Sequence, residues 1–201
     1  MWPMTKPLHI LCDLDSIAAA LMPTWVDLYN KAYDDKLSID DVKDFDIHLF
    51  TKPECHTKVY DLLTAETFLS LPVMPGAKDV LQELTNIGHT IHIVTAFSPD
   101  HPDTAAAKVS WTRANFPFIN KRMITLMSQK HLIRGDVLID DRPDTIAACR
   151  AMPNNKIYLT TIGYPYNESI SYMYDLYTRD YKTPEKCWNE MFNGIVAYSE
   201  K

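Results

Sequence analysis

The feature that most constrains this chain is a short apolar run that ends in two aspartates. Residues 8–12 read LHILC, and Asp13 and Asp15 follow at once. An apolar run of this length is typical of a buried strand in a parallel sheet. Side chains two residues apart share a face, so both carboxylates can enter one site beyond the carboxyl end of the strand, where open α/β folds bind ligands. Two acids so close are costly unless a cation or a reacting group uses them.

Three further segments have the pattern of buried strands, and they span residues 90–94, 137–139 and 156–160. Helical patterns lie between and after them, at residues 77–86, 103–115, 145–152 and 187–198. The first of the three strands runs into Thr95, and the second runs into Asp140 and Asp141. Strands that alternate with helices at this spacing predict an α/β fold with a doubly wound parallel sheet.

Residues 17–74 interrupt this alternation. They contain seven aromatic residues, mostly at helical spacing, and no convincing strand. We interpret them as a small helical cap inserted after the first strand, and the chain re-enters the core through the sequence PVMPG at 72–76. The predicted domains are therefore a core of residues 1–16 and 75–201 and a cap of residues 17–74.

Composition and charge argue against several other classes of protein. The net charge is −6 and the lysines and arginines are scattered, so no basic surface for nucleic acid or an anionic membrane is expected. The four cysteines (Cys12, Cys55, Cys149 and Cys187) form no CxxC pair, which indicates reduced thiols rather than disulfides or a zinc site. No run reaches membrane-spanning length and no signal peptide is evident. We expect a cytoplasmic protein with a small-molecule partner, and a homodimer is left open.

The residues at the strand ends predict a magnesium site for phosphate chemistry. The acids there are Asp13, Asp15, Asp140 and Asp141. Such oxygen ligands suit Mg²⁺, which commonly bridges to a substrate phosphate. A carboxylate can attack phosphorus to form an aspartyl-phosphate, while a hydroxyl and a lysine neutralise charge on the phosphate oxygens. Thr95 offers the hydroxyl, and Lys130, ten residues before Asp140, is the expected lysine.

This ordered set of motifs resembles that of the haloacid-dehalogenase-like (HAD) phosphotransferases. Its four motifs are matched in order by DLDS at 13–16, Thr95, Lys130 and Asp140-Asp141. A narrower resemblance, to the 5′(3′)-deoxyribonucleotidases of that superfamily, rests on IDDRPD at 139–144 and PGA at 75–77. The resemblance implies a HAD-like, Rossmann-like core, Mg²⁺ as cofactor, and hydrolysis of a phosphomonoester. The favoured function is that of a 5′-nucleotidase acting on (deoxy)ribonucleoside monophosphates through an aspartyl-phosphate.

The resemblance also implies a role for each acid. Asp13 would be the nucleophile and a Mg²⁺ ligand. Asp15 would bind the metal through its backbone carbonyl, contact the substrate, and act as general acid and then as general base. Asp141 is favoured as the next side-chain ligand of the metal, and Asp140 is second.

Further substrate contacts are implied for three residues. Thr95 would hold a phosphate oxygen with help from backbone amides near Ala96, and Lys130 would pair with the nucleophile and the phosphate. Related nucleotidases usually read GVLAD after DLD, whereas residues 16–20 here read SIAAA and Leu21 replaces an expected aromatic residue. The phosphate chemistry is unaffected by these departures, but the base and sugar preference is left open.

Two alternatives to a nucleotidase remain at this stage. The first is a HAD phosphatase for another small metabolite, such as a sugar phosphate. The second is a catalytically inactive HAD fold that serves as a binding module, and the altered stretch at 16–20 is its support. A dehalogenase is disfavoured, because that chemistry needs neither the second aspartate nor a metal.

Overall fold

The computed structural model describes residues 6–201, and their central element is a six-stranded parallel sheet. Its strands are β1 (His9–Cys12), β2 (Thr90–Thr95), β3 (Ile124–Leu126), β4 (Val137–Ile139), β5 (Tyr158–Ile162) and β6 (Leu176–Thr178). They lie in the order β3-β2-β1-β4-β5-β6, and each neighbouring pair is parallel. The chain builds outward from β1 to one edge and then from β4 to the other, so the order switches between β1 and β4. Ligands of doubly wound sheets bind beside such a switch point.

In the described part of the chain, six α-helices accompany the sheet: α1 (Leu21–Tyr33), α2 (Ala65–Ser70), α3 (Ala77–Asn86), α4 (Asp103–Asn115), α5 (Pro143–Ala151) and α6 (Pro184–Ser199). Short 3₁₀ segments span Ile39–Asp41, Ile47–Phe50, His56–Leu62, Lys130–Leu132 and Pro165–Met173. The bounds of α3 and α4 are those predicted. Helix α5 begins two residues earlier than predicted, because Pro143 occupies its first position, where a missing N–H costs nothing. The predicted doubly wound α/β fold is confirmed.

Two strands, β3 and β6, were not predicted from the sequence. Each has three residues and lies at an edge of the sheet. Three residues are too few to show a period in the sequence. These strands form because their backbones pair with those of neighbouring strands, β3 with β2 and β6 with β5. The strand predicted at 156–160 was placed two residues too early, since β5 spans Tyr158–Ile162.

Both faces of the sheet are covered by apolar side chains. On one face, Leu11 and Leu138 pack with Ile146 of α5. On the other face, Ile10 and Ile139 belong to the larger cluster, which includes residues of α3 and α6. Burial on both faces explains why the central strands read as continuous apolar runs rather than as alternating ones.

The segment between β1 and α3 leaves and re-enters the core at adjacent points. The Ala20 N–H donates to the Pro72 carbonyl at 2.9 Å, and the Met74 N–H donates to the Ala18 carbonyl at 2.8 Å. Between these points the chain forms α1, three 3₁₀ segments and α2. Helix α2 packs on α4. The indole N–H of Trp111, in α4, donates at 2.7 Å to the carbonyl of Leu71, the residue after α2. The insertion is therefore anchored at its neck and along α4.

Gly76 allows the tight re-entry into α3. Its φ is +86°, a region that favours glycine, and a Cβ there would lie 2.9 Å from the Glu185 Cα of α6. Residues 1–5 of the predicted core lie outside the described residues. Within residues 6–201, every helix falls short of the length and apolar character that a lipid bilayer would require.

Candidate active site

Asp13 lies at the end of β1, beside β4. Its backbone N–H donates to the Ile139 carbonyl at 2.9 Å and so continues the ladder between the two strands. One carboxylate oxygen accepts the Leu14 N–H at 2.8 Å, and the other lies 2.7 Å from the Lys130 ammonium. The side chain is held at both oxygens before any substrate arrives.

Lys130 joins two of the acids. Its ammonium lies 2.7 Å from Asp13 and 2.6 Å from Asp140, and it is almost completely buried. Burial disfavours the charged form, but the two carboxylates outweigh it, and the pKa of Lys130 is raised above its ordinary value. The second oxygen of Asp140 accepts the Arg142 N–H at 2.9 Å. Burial raises the pKa of Asp140 to about 6, although Lys130 opposes the rise.

Asp141 completes a cluster of acids. Its carboxylate accepts a hydrogen bond from the Tyr166 hydroxyl, and one oxygen each of Asp13, Asp140 and Asp141 lie within 4.8 Å of one another. Burial, followed by the charges of Asp13 and Asp140, raises the pKa of Asp141 well above its ordinary value. Within residues 6–201, the three carboxyl groups of this cluster face one ammonium, that of Lys130. Such a buried set of hard oxygen ligands could hold a divalent cation.

Asp15 and Thr95 share a contact with a second lysine, Lys108. One oxygen of Asp15 lies 2.5 Å from the ammonium of Lys108, and the other is buried with no hydrogen-bond partner among residues 6–201. Burial raises the pKa of Asp15, and the charge of Lys108 opposes this rise. Thr95 is fully buried at the end of β2, and Ala96 follows it at the edge of the cavity. Five of the seven residues named from the sequence line the cavity: Asp13, Asp15, Ala96, Lys130 and Asp141. The other two are fully buried behind it, where Asp140 contacts Lys130 and Thr95 contacts Lys108.

Three further residues contact the site without a sequence motif that predicts them: Lys108, Tyr166 and Asn167. Lys108 lies in the buried stripe of α4, between Thr104 and Trp111, and a lysine inside such a stripe is a signal that the helical period could have provided. Tyr166 and Asn167 come from the segment after β5, and Asn167 donates to the Asp141 carbonyl at 3.2 Å. No local pattern indicates that this segment returns to the strand ends.

The cavity beside the acids has a volume of about 200 Å³. Its apolar wall comes mainly from the insertion and consists of Leu21, Met22, Trp25, Phe45, Tyr60 and Leu63. The Arg142 guanidinium lies 5.0 Å from the centre of the Phe45 ring and pairs with Asp144 at 2.6 Å. A groove of about 610 Å³ shares several of these residues and continues past Asp100 and His101. The acids therefore lie next to an apolar compartment.

Ser16 begins the stretch in which the chain departs from related nucleotidases. Its φ is +60°, in the left-handed region where those proteins usually carry glycine. The Tyr164 hydroxyl donates to the Ser16 carbonyl at 2.9 Å and holds this conformation. The departure therefore changes the side chain and leaves the turn in place.

Solved structures show that the fold is that of the HAD-like hydrolases. A protein described as a haloacid dehalogenase-like hydrolase, from Burkholderia xenovorans, matches with a TM-score of 0.54 and 14% identity over 92% of this chain and 98% of its own. A hydrolase from Pseudomonas syringae matches with a TM-score of 0.51 and 13% identity over 92% of this chain and 98% of its own. At these identities the likeness concerns the fold alone.

Sequence comparison defines the family. A family model described as "5′ nucleotidase, deoxy (Pyrimidine), cytosolic type C protein" matches residues 6–191. A 5′(3′)-deoxyribonucleotidase from Clostridium acetobutylicum is 40% identical over 141 residues, which are 70% of this chain and 76% of that protein. One from Bacillus subtilis is 34% identical over 133 residues, 66% and 74% of the two chains. The chain belongs to this nucleotidase family, so the predicted resemblance and the predicted phosphomonoester hydrolase activity are both confirmed.

Proposed function

We propose that this enzyme hydrolyses nucleoside monophosphates with Mg²⁺ and through an aspartyl-phosphate on Asp13. The observation that carries the proposal is the meeting of Asp13, Lys130, Asp140 and Asp141 between the ends of β1 and β4. Nucleophile, cation partner and further acids come from three separate stretches of chain. Their convergence at the switch point of the sheet supports catalysis rather than a binding module.

The donor set fits a magnesium ion. Asp13 and Asp141 would hold it through their carboxylates, and Asp15 through its backbone carbonyl. Both oxygens of Asp140 already accept hydrogen bonds, from Lys130 and from the Arg142 N–H, so its main task would be to hold Lys130. When bound, Mg²⁺ would balance the excess negative charge of the cluster and that of the phosphate.

The residues of the chain account for both chemical steps. In the first, a carboxylate oxygen of Asp13 forms a bond to phosphorus, the ester P–O bond breaks, and the departing oxygen takes a proton from Asp15. In the second, water attacks the phosphoryl group, Asp15 takes a proton from that water, and the Asp13 carboxylate leaves as phosphate is released. Lys130, Thr95 and the backbone near Ala96 would neutralise the phosphate oxygens during both steps.

The substrate class is supported by the cavity and by the relatives. Trp25, Phe45 and Tyr60 offer aromatic surface beside the acids, which suits the flat face of a nucleobase. The relatives are named deoxyribonucleotidases, so deoxyribonucleoside monophosphates are the first substrates to test. We further propose that residues 17–74 act as a cap, because the aromatic walls come from them. A cytoplasmic location and a homodimer stay predictions.

Phosphate release from a panel of esters tests the proposal. Purified protein would be given 3′- and 5′-(deoxy)ribonucleoside monophosphates, sugar phosphates and p-nitrophenyl phosphate, with Mg²⁺ or with a chelator. We expect turnover of nucleotides that depends on Mg²⁺, and labelled phosphate bound covalently to the protein after acid quenching. Turnover of sugar phosphates alone would replace the nucleotidase by the metabolite phosphatase. If no ester is hydrolysed and Asp13→Asn changes nothing, the protein is a binding module.

A further inference from the structure

We propose that Lys108 is a positioning residue that holds the Asp15 carboxylate in place for proton transfer. The inference rests on the proposed function, in which Asp15 is the general acid and base. The Lys108 ammonium lies 2.5 Å from an Asp15 oxygen, 2.6 Å from the Ala96 carbonyl and 3.4 Å from the Thr95 hydroxyl. One side chain of α4 therefore ties the loop after β1 to the loop after β2.

The contacts of Lys108 leave no donor for a substrate. An ammonium has three N–H groups, and three protein oxygens lie within reach of it, two at short distance and one at long distance. The Lys108 side chain is 5% exposed, and the centre of the Phe68 ring of α2 lies 4.5 Å from the ammonium. Its role is therefore to orient Asp15 and the backbone at Ala96 rather than to bind the phosphate.

Asp15 depends on this contact for its orientation. Its second oxygen has no hydrogen-bond partner in the described part of the chain, so Lys108 makes the one side-chain hydrogen bond that restrains the carboxylate there. Without that bond the carboxylate can rotate away from the position of the departing oxygen. Misplacement of a catalytic group by about 1 Å can cost about a hundredfold in rate.

The leaving group distinguishes a role through Asp15 from a general structural role. A nucleoside leaves as an alkoxide and needs a proton, whereas p-nitrophenolate leaves readily without one. General acid catalysis contributes about 10²–10⁴-fold. Lys108→Met should therefore lower kcat/KM for a deoxyribonucleoside monophosphate by about a hundredfold and that for p-nitrophenyl phosphate by less than about fivefold. Because Lys108 does not touch the substrate, the loss for the nucleotide should fall on kcat, and its KM should stay within about threefold.

The experiment compares the wild type with Lys108→Met, Lys108→Gln and Arg113→Met. Arg113 is an exposed cation near the end of the same helix, so Arg113→Met should behave as wild type with both substrates. Lys108→Gln keeps N–H donors on a slightly shorter side chain, and it should recover part of the nucleotide activity lost in Lys108→Met. Circular dichroism would check that each variant is folded. If Lys108→Met does not fold, the ratio of the two activities in Lys108→Gln decides the question.

Each other result overturns one identifiable claim. Equal losses with both substrates would mean that Lys108 is merely structural. A raised KM with unchanged kcat would make it a substrate-binding residue, and wild-type behaviour of Lys108→Met would remove it from the reaction. A wild type that hydrolyses neither substrate would refute the proposed function, and not the placement of Lys108.

Discussion

Replacement of Asp141 by asparagine should stabilise the metal-free protein and abolish its stabilisation by Mg²⁺. Asp141 is 3% exposed, and one of its oxygens lies within 4.8 Å of oxygens of Asp13 and Asp140. Its pKa is raised well above the ordinary value, because of burial and then because of these two charges. The folded state therefore pays a free-energy cost to keep an acid at this position when no cation is bound.

The size of that cost has an upper limit. Protonation at pH 7 of a carboxyl with an ordinary pKa near 3.9 costs about 4 kcal/mol of free energy. Because Asp141 can be protonated in this way, its burial cannot lower the free energy of unfolding by more than that amount. Asparagine has no charge, its oxygen can still accept from Tyr166, and its amide can donate to a neighbouring carboxylate. We expect the free energy of unfolding of metal-free Asp141→Asn to exceed that of the wild type by about 1–3 kcal/mol at pH 7.

Magnesium should reverse the order of the two proteins. A ligand at a thousandfold excess over its Kd stabilises the folded state by about 4.1 kcal/mol, which exceeds the advantage expected of metal-free Asp141→Asn. This gain should appear in the wild type and be lost in Asp141→Asn. Urea unfolding of the wild type and of Asp141→Asn, each with chelator and with Mg²⁺, measures the four free energies of unfolding. Asp27→Asn, an exposed acid in α1, is the control and should stay within about 0.5 kcal/mol of the wild type with its Mg²⁺ response intact. A metal-free Asp141→Asn that is less stable than the wild type, or that gains equally from Mg²⁺, would refute the reasoning.

Three further predictions follow from the same contacts. Asp13→Asn should lower kcat by at least about 10⁴-fold with little change in Tm, because Lys130 keeps Asp140 as its partner; activity within about tenfold of wild type would count against Asp13 as nucleophile. Ser16→Gly should raise the free energy of unfolding by about 1 kcal/mol, because φ at Ser16 is +60°, and a lower Tm would contradict this. The pKa of the Asp140 carboxyl is raised to about 6, so as the pH rises the folded metal-free protein keeps the carboxyl proton after the unfolded chain has lost it. The free energy of unfolding therefore falls between about pH 4 and pH 6, by up to about 1.4 kcal/mol per pH unit. The urea midpoint of Asp140→Asn minus that of the wild type should therefore increase as the pH rises over that range. A difference that does not change with pH would contradict the prediction.

Much of the candidate site could be predicted because it lies at strand ends. The ends of β1, β2 and β4 lie at one edge of the sheet because β2 and β4 both pair in parallel with β1. The sequence patterns therefore indicate the fold and place Asp13, Thr95 and Asp140 at that edge. Lys130 follows the short edge strand β3, which has no sequence signal, so the spacing of the family motifs alone predicts its role. The structure places it 2.7 Å from Asp13.

The chain by itself determined the alternation of helices and central strands and the acids at one edge of the sheet, because those properties follow from periodicity and from the geometry of parallel strands. The tertiary structure alone decided the short edge strands β3 and β6, the contact of Lys108 with Asp15, and that of Tyr166 with Asp141. The two side-chain contacts join residues that are 93 and 25 positions apart in the sequence. The two edge strands form only where a neighbouring strand is present to pair with them. No local pattern records such distances, because they are set by how the whole chain packs.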